Sequence, residues 1–166
     1  GIDQSPDVLG VARRNIEAVF TDGDRKVENV MLTAYDIEKI SAILDGERDQ
    51  VERIYINFCN PWPKARHHKR RLTHTIQLKK YRSLLREGGE IWFKTDNDDL
   101  FLATQRYLEE AGFAIYAKTF DLHGENDPEN IESEHEVMFT AQGIRTKALK
   151  ARMLPLSEEA ESAAGQ

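Results

Sequence analysis

A short loop near the middle of the sequence carries residues suited to binding a nucleic acid. Asn60-Pro61-Trp62-Pro63-Lys64 has two prolines within three residues, which excludes a helix interior or a sheet ladder and makes the loop rigid. A base could stack on Trp62 for roughly 1–3 kcal/mol, and Lys64 could meet a phosphate or a base edge. The alternative is a rigid turn with Trp62 packed inward. The residue types favour the binding role.

The residues that follow this loop are strongly basic. Between Lys64 and Arg86 there are nine lysines and arginines and no Asp or Glu. The remaining 14 basic residues and all 29 acidic residues leave the rest of the chain with a formal charge of −15. A basic run is often only a solvated surface, but segregation of this degree is typical of a segment that binds a phosphate backbone. We therefore predict a nucleic-acid-binding segment that comprises Arg66, His67, His68, Lys69, Arg70 and Arg71.

Three aspartates follow apparent strands, where ligands bind in nucleotide-type folds. Asp3 could accept hydrogen bonds from ribose hydroxyls, or it could be a solvated carboxylate near the start of the chain. Asp36 could hold an adenine amino group, and Asp96 could bind a base. Asp36 could instead cap the helix that follows it, and so could Asp96-Asn97; on pattern alone the cap is favoured at both positions. The pattern leaves both roles open.

Other chemistries find little support in the sequence. Ser133-Glu134-His135-Glu136 precedes an apolar run, which is the pattern of a capping box at a helix N-terminus. His67 and His68 are adjacent, so their side chains diverge, and no third ligand is spaced to complete a metal site. Cys59 has no neighbouring base, and the sequence contains neither a nucleophile elbow nor a phosphate-binding P-loop. We predict no metal site.

The elements that must position these residues alternate between strand and helix. Apolar spacing and turn residues predict a helix from Val8 to Phe20, a strand Asn29–Asp36, a helix Ile37–Leu44, a strand Val51–Phe58, a helix Thr75–Glu87 stopped by Gly88-Gly89, a strand Glu90–Lys94, a helix Asp98–Ala111, a strand Ala114–Leu122, a polar loop His123–Asn130 and an extended segment Ile144–Leu154.

This alternation predicts an α/β fold, a mostly parallel sheet with helices on both faces. Ligands in such sheets bind at the carboxyl ends of the strands. We expect one domain over residues 1–154 and a flexible tail over residues 155–166, which consists mainly of Glu, Ala and Ser. No apolar run is long enough for a membrane span, and the single cysteine favours a cytoplasmic location.

The run from Asn57 to Leu72 closely resembles the signature of bacterial tRNA (guanine-N(7)-)-methyltransferases. The match continues in the family's order with Phe93–Asn97, Leu100-Phe101, Ser133–Glu136, Phe139 and Gly143. The resemblance implies a Rossmann-like class I methyltransferase fold, S-adenosylmethionine as cofactor, and methylation of a guanine in the tRNA variable loop. It implies tRNA as the partner. We also expect no membrane or metal partner, and a monomer or homodimer.

The resemblance also assigns site residues by position. Asp3 and Asp36 correspond to cofactor contacts, one to the ribose and one near the adenine. Asn60 corresponds to a catalytic and cofactor-binding position. Substrate contacts are expected at Lys64, Asp96, Ser133, Glu134, His135 and Glu136, with Asp96 also catalytic. We hypothesise that Asp96 and Glu136 read the guanine, while Asn60 orients the base or the cofactor's amine.

The chain differs from the family pattern in two respects. The family usually has Asp where this chain has Asn60, whose amide accepts a hydrogen bond but carries no charge. The chain also begins at what looks like the family's second strand, so the first βα unit and its Gly-rich cofactor loop are expected to be missing. An RNA-binding protein of the same fold without catalysis is the alternative. A small-molecule methyltransferase is a third possibility, but it leaves the basic segment unexplained.

Overall fold

The computed structural model describes residues 1–23 and 25–155. The chain forms two compact units, Gly1–Leu44 and Asp45–Gln166, and each is described by itself. The expected single domain over residues 1–154 stays a prediction. The expected tail, apart from Pro155, lies outside the described residues. None of the described helices has the length and apolar character that crossing a bilayer requires.

The first unit pairs two very short strands. It contains β1 (Ile2–Asp3), α1 (Pro6–Asp22), β2 (Thr33–Ala34) and a 3-10 helix, Ile37–Ala42. β1 and β2 are parallel, with Ile2 opposite Thr33. The strand predicted over Asn29–Asp36 is therefore too long, because β1 offers it a partner at only two positions. The helix predicted from Val8 is confirmed, and Ser5 caps it by accepting a hydrogen bond from the Val8 amide.

The second unit is a four-stranded sheet with helices. Its elements are β3 (Val51–Asn57), a 3-10 helix (Ala65–Arg70), α2 (Thr75–Leu84), β4 (Leu85–Thr95), α3 (Asp98–Glu110), β5 (Phe113–Thr119), α4 (Leu122–Glu125), α5 (Glu134–Ala141) and β6 (Lys147–Met153). The strand order is β3-β4-β6-β5. β3 and β4 are parallel, whereas β6 runs antiparallel to β4 and β5. Three of these four strands therefore point the same way.

Helices cover both faces of this sheet, as predicted. Ile91 and Phe93 share one face of β4 and are fully buried, and α2 and α3 contact the sheet. Lys94 lies on the opposite face, because successive side chains of a strand alternate. Its ammonium reaches Glu136 of α5 at 3.0 Å. The predicted α/β class is confirmed, and the extended segment after Ile144 is the antiparallel strand β6.

Other local predictions also differ from the structure. The helix expected to run to Glu87 ends at Leu84, and Gly88-Gly89 lies within β4. Leu85 already pairs with Val51 of β3, and the pairing then shifts its register before Glu90. Gly88 accommodates the irregularity at φ +68°, which favours glycine. The polar loop after Leu122 begins with the short helix α4, because Asp121 caps it.

Candidate active site

The loop that follows β3 is held in a strained conformation. Phe58 and Trp62 have φ values of 51° and 43°, in the left-handed region, where a non-glycine residue costs on the order of 1–3 kcal/mol. The Asn60 amide oxygen accepts a hydrogen bond from the Trp62 amide at 3.0 Å and closes a turn. Arg71 Nε donates to the Pro61 carbonyl oxygen at 2.7 Å. Side-chain hydrogen bonds thus fix this loop from within and from the segment behind it.

Trp62 contacts the basic segment. Its ring centroid lies 5.6 Å from that of His67, with the rings nearly perpendicular, and 5.2 Å from the Arg70 guanidinium carbon. The ring is half-buried rather than packed in the core. Stacking of a base on Trp62 stays a prediction, and a base would share the ring with these two side chains.

The basic segment presents most of its cations to solvent. Lys64, Arg66, Lys69 and Arg70 are exposed on and beside the 3-10 helix, and His67 and His68 are half-buried. Arg71 differs, because its side chain turns inward and the residue is only 3% exposed. The Arg71 guanidinium donates to the Pro61 carbonyl oxygen, and RNA contact by Arg71 stays a prediction.

Asp96 follows β4 at the same edge of the sheet as Asn60, which follows β3. The two strands are parallel, with Asn57 opposite Lys94. Asn97, not Asp96, caps α3 by accepting from the Leu100 amide at 2.8 Å. Across residues 1–23 and 25–155, no group hydrogen-bonds the half-buried Asp96 carboxylate. Asn97 thus provides the cap expected at Asp96-Asn97, and ligand binding by Asp96 stays a prediction.

Lys147 of β6 holds the backbone of Asp96. Its ammonium donates to the Asp96 carbonyl oxygen at 2.9 Å and pairs with the Asp98 carboxylate at 2.9 Å. Lys147 is 8% exposed, whereas the Asp98 side chain is 70% exposed, so the ion pair with Asp98 is open to solvent on its acidic side. These two contacts fix the backbone at the end of β4 and therefore the position of the Asp96 Cα atom.

The N-terminus of α5 lies at this edge and has a capping box. The Ser133 hydroxyl oxygen accepts from the Glu136 amide, and Glu136 accepts from the Ser133 amide at 2.9 Å. Glu136 is fully buried and also accepts from Lys94 Nζ at 3.0 Å and Asn130 Nδ2 at 3.1 Å. Burial alone would raise the pKa of Glu136, but these hydrogen bonds lower it below its usual value. Glu136 is an anion with both oxygens occupied.

These contacts change what is expected of the Ser133–Glu136 stretch. Ser133 and Glu136 serve the capping box and the buried ion pair, so guanine reading by Glu136 stays a prediction that requires displacing a donor. Glu134 and His135 are exposed. The His135 ring stacks on Phe58 at a centroid distance of 5.3 Å and an interplanar angle of 20°. This contact joins the strained loop to α5.

Asp3 and Asp36 belong to the first unit and lie at one edge of its small sheet. Asp3 ends β1, and its carbonyl oxygen accepts from the Tyr35 amide, next to Asp36. The Asp3 carboxylate accepts from the Ser5 amide at 2.7 Å and is otherwise exposed, which suits an acceptor for ribose hydroxyls. Asp36 caps the following 3-10 helix by accepting from the Glu38 amide at 3.0 Å, as its pattern predicted.

Lys94 and Lys147 were not predicted as site residues. Each is a lysine within a strand whose neighbours are largely apolar, and a buried lysine requires an acidic or carbonyl partner. That was the available signal, although it does not identify the partner. Beside Lys94 lies a cavity of about 320 Å³, lined among others by Trp92, Asn130 and Lys150.

Metal and thiol chemistry find no site here. Among the described residues, no group of three His, Cys, Asp or Glu could hold a metal ion. Burial raises the pKa of the Cys59 thiol to about 11, so it is not a thiolate at neutral pH. At its sheet edge the second unit presents the Asp96 carboxylate and the loop that contains Asn60, followed by the basic segment.

Comparison with known proteins identifies the family. A family model described as "Putative methyltransferase" matches residues 1–149. The chain belongs to this methyltransferase family. It is 53% identical over 150 residues to the tRNA (guanine-N(7)-)-methyltransferase of Clostridium botulinum strain Eklund 17B, covering 90% of this chain and 68% of the relative. The same named enzyme from Clostridium beijerinckii is also 53% identical, with the same coverage.

The fold agrees with solved methyltransferases. An rRNA methylase from Streptococcus thermophilus superimposes with a TM-score of 0.55 over 93% of this chain and 72% of that one, at 13% identity. The expected Rossmann-like class I methyltransferase fold is thereby confirmed.

Proposed function

We propose that this methyltransferase transfers a methyl group from S-adenosylmethionine to N7 of a guanine in tRNA, in the variable loop. The observation that carries the proposal is the position of the Asp96 carboxylate, which accepts no hydrogen bond from residues 1–23 and 25–155. It lies at the same sheet edge as the strained Asn60 loop, and the exposed basic segment follows that loop directly. The names of the clostridial relatives, more than half identical, support the acceptor.

The residues suit a reaction that needs positioning more than proton transfer. The sulfonium supplies a methyl group whose bond to sulfur breaks as its bond to guanine N7 forms. N7 has a lone pair and no proton, so the chain needs no general base and its task is in-line placement. The base becomes cationic, and the Asp96 carboxylate stabilises that charge and accepts hydrogen bonds from the Watson-Crick edge.

The exposed cations place the tRNA. Lys64, Arg66, Lys69 and Arg70 bind phosphates beside the Asn60 loop, and His67 and His68 extend the same segment. Asp3 binds the cofactor ribose, Asp36 lies near the adenine, and residues 1–154 act as one domain. A tRNA substrate places the reaction in the cytoplasm.

The test is methyl transfer from labelled S-adenosylmethionine to an unmodified tRNA transcript, followed by nuclease digestion and identification of the nucleoside. It is run on the 166-residue chain and on that chain joined to the part of the Clostridium botulinum relative that it does not cover. We expect label in 7-methylguanosine. Label in another nucleoside, or none with either form, contradicts the proposal.

The second candidate is a tRNA-binding protein of the same fold that lacks catalysis. Asn60 favours it, because the family pattern has a charged Asp there. Asn60 uses its amide oxygen to close the loop turn, which a carboxylate would do equally well, so the substitution preserves the loop geometry. Calorimetric titration with S-adenosylmethionine separates the candidates, since only the enzyme takes up the cofactor.

A further inference from the structure

Arg71 is a buried cation between the basic segment and the loop at the sheet edge. It is 3% exposed, and its Nε donates to the Pro61 carbonyl oxygen at 2.7 Å. Its backbone amide donates to the His68 carbonyl and ends the 3-10 helix that carries the exposed cations. One residue therefore ends the phosphate-facing helix and holds the loop.

The Pro61 carbonyl is a point at which the loop can be held. Proline has no N–H, so this oxygen is the only backbone hydrogen-bonding group of Pro61. Pro61 lies beside Asn60, and Trp62 on its other side is at φ 43°. A conformation of this kind persists only when its surroundings fix it. Removing the Arg71 donor lets the loop relax toward an unstrained shape.

We propose that Arg71 is a positioning residue that couples tRNA binding on the exposed cations to the geometry of the Asn60 loop. The inference rests on the proposed function. Phosphates that settle on Arg66, Lys69 and Arg70 fix the short helix, and Arg71 at its end transmits that placement to Pro61. Trp62 reinforces the connection, because its ring contacts His67 and Arg70 of the same helix.

A positioning role and a phosphate-binding role predict different kinetics. A buried guanidinium that shapes the loop affects placement of the reacting groups, so its loss lowers kcat and leaves KM for tRNA nearly unchanged. An exposed cation that binds phosphate affects affinity, so its loss raises KM and reduces the salt dependence of binding. A lysine could replace an arginine that only binds phosphate. Its ammonium does not reproduce the fixed Nε donor that a positioning role requires.

The experiment compares Arg71→Lys and Arg71→Met with the exposed control Arg66→Met, in the form of the chain that transfers methyl. For both Arg71 variants we expect kcat to fall about 10–100-fold, with KM for tRNA and the salt slope of binding unchanged. For Arg66→Met we expect a higher KM and a smaller salt slope. Circular dichroism verifies folding, and Arg71→Lys decides if Arg71→Met does not fold.

A raised KM and a reduced salt slope in Arg71→Met, restored by Arg71→Lys, overturn the inference in favour of a phosphate contact. Unchanged kinetics in Arg71→Lys also overturn it. Acrylamide quenching of Trp62, measured with Trp92 replaced by Phe, reads the loop without activity, and we expect stronger quenching when Arg71 is replaced. If no form transfers methyl, the proposed function fails, while this quenching still decides whether Arg71 holds the loop.

Discussion

Asn60 and Asp96 sit at the ends of neighbouring parallel strands and use their oxygens differently. The amide oxygen of Asn60 is engaged within its own loop, whereas the Asp96 carboxylate has no hydrogen-bond donor in residues 1–23 and 25–155. A half-buried carboxylate with open acceptor positions is suited to receive donors from a ligand. The guanine edge offers such donors, so we propose Asp96 as the side chain that recognises the base.

Asp96→Ala should therefore abolish methyl transfer while tRNA retention stays nearly intact. We expect the binding energy to come mainly from the basic segment, which this change leaves in place. Asp99→Ala is the matched control, because Asp99 is an exposed aspartate three residues further on. Methyl-transfer rates and filter binding measure the two effects. Wild-type transfer by Asp96→Ala would remove this carboxylate from the site.

Lys94→Met should destabilise the fold, because it leaves the Glu136 carboxylate buried without its cation. Breaking one partner of a buried pair costs about 3–5 kcal/mol. The double variant Lys94→Met, Glu136→Gln should recover part of that loss, since no charge stays buried. Urea unfolding measures the free energy of each. A loss below about 1 kcal/mol in the single variant would show that the pair is not needed for stability.

At the scale of elements, helix caps determine where the helices next to the candidate site residues begin. Asn97 starts α3 directly after Asp96, and the Ser133–Glu136 capping box starts α5 beside Lys94. α2 is capped by a histidine: His74 Nδ1 accepts from the Ile76 amide at 3.2 Å. That hydrogen bond requires an unprotonated Nδ1, so this cap depends on pH.

The α2 cap should make stability fall as the pH drops below about 6.5. The pKa of His74 is lowered, mainly by burial and also by nearby cations. The Glu110 carboxylate acts in the opposite direction. Unfolded His74 then binds a proton more readily than folded His74. The contribution of His74 to the free energy of unfolding is therefore present above pH 6.5 and is lost as the pH falls through the pKa of the folded state. His74→Asn caps without titrating. Urea unfolding between pH 5 and 7 should show a smaller pH slope for this variant; equal slopes would contradict it.

Elements with strong periodicity could be predicted from the sequence, whereas pairing partners could not. The apolar spacing of α1 and α3 and the capping box of α5 are local features, and the structure has them. The end of α2 was wrong by three residues because Leu85 pairs with Val51, which lies far away in the sequence. The antiparallel direction of β6 likewise depends on neighbours that no local pattern specifies.

The candidate site was predictable to a similar degree. Asn60, Asp96 and the basic segment follow from strand ends and composition. The inward turn of Arg71 did not follow, because a run of lysines and arginines looks the same whether one member is buried or not. The ion pairs of Lys94 and Lys147 escaped prediction since each joins residues about 40 or more positions apart in the sequence.

At the scale of the whole molecule, charge segregation should make tRNA binding strongly dependent on salt. Four exposed cations, Lys64, Arg66, Lys69 and Arg70, predict a slope of log K against log salt of roughly −3. Arg66→Met with Lys69→Met should reduce its magnitude by about 1.5. Lys118→Met on β5 serves as a control and should not change it. Filter binding across a salt series measures these slopes. Equal slopes in all variants would show that the RNA binds to another surface of the protein.

The acceptor atom is tested most directly with a tRNA transcript whose guanines are replaced by 7-deazaguanine, in which a C–H group stands where N7 would be. This base keeps its Watson-Crick edge, so the modified tRNA should still bind and compete with the normal transcript. We expect methyl transfer to the normal transcript and none to the modified one. Equal transfer to both would contradict N7 as the acceptor and with it the proposed function.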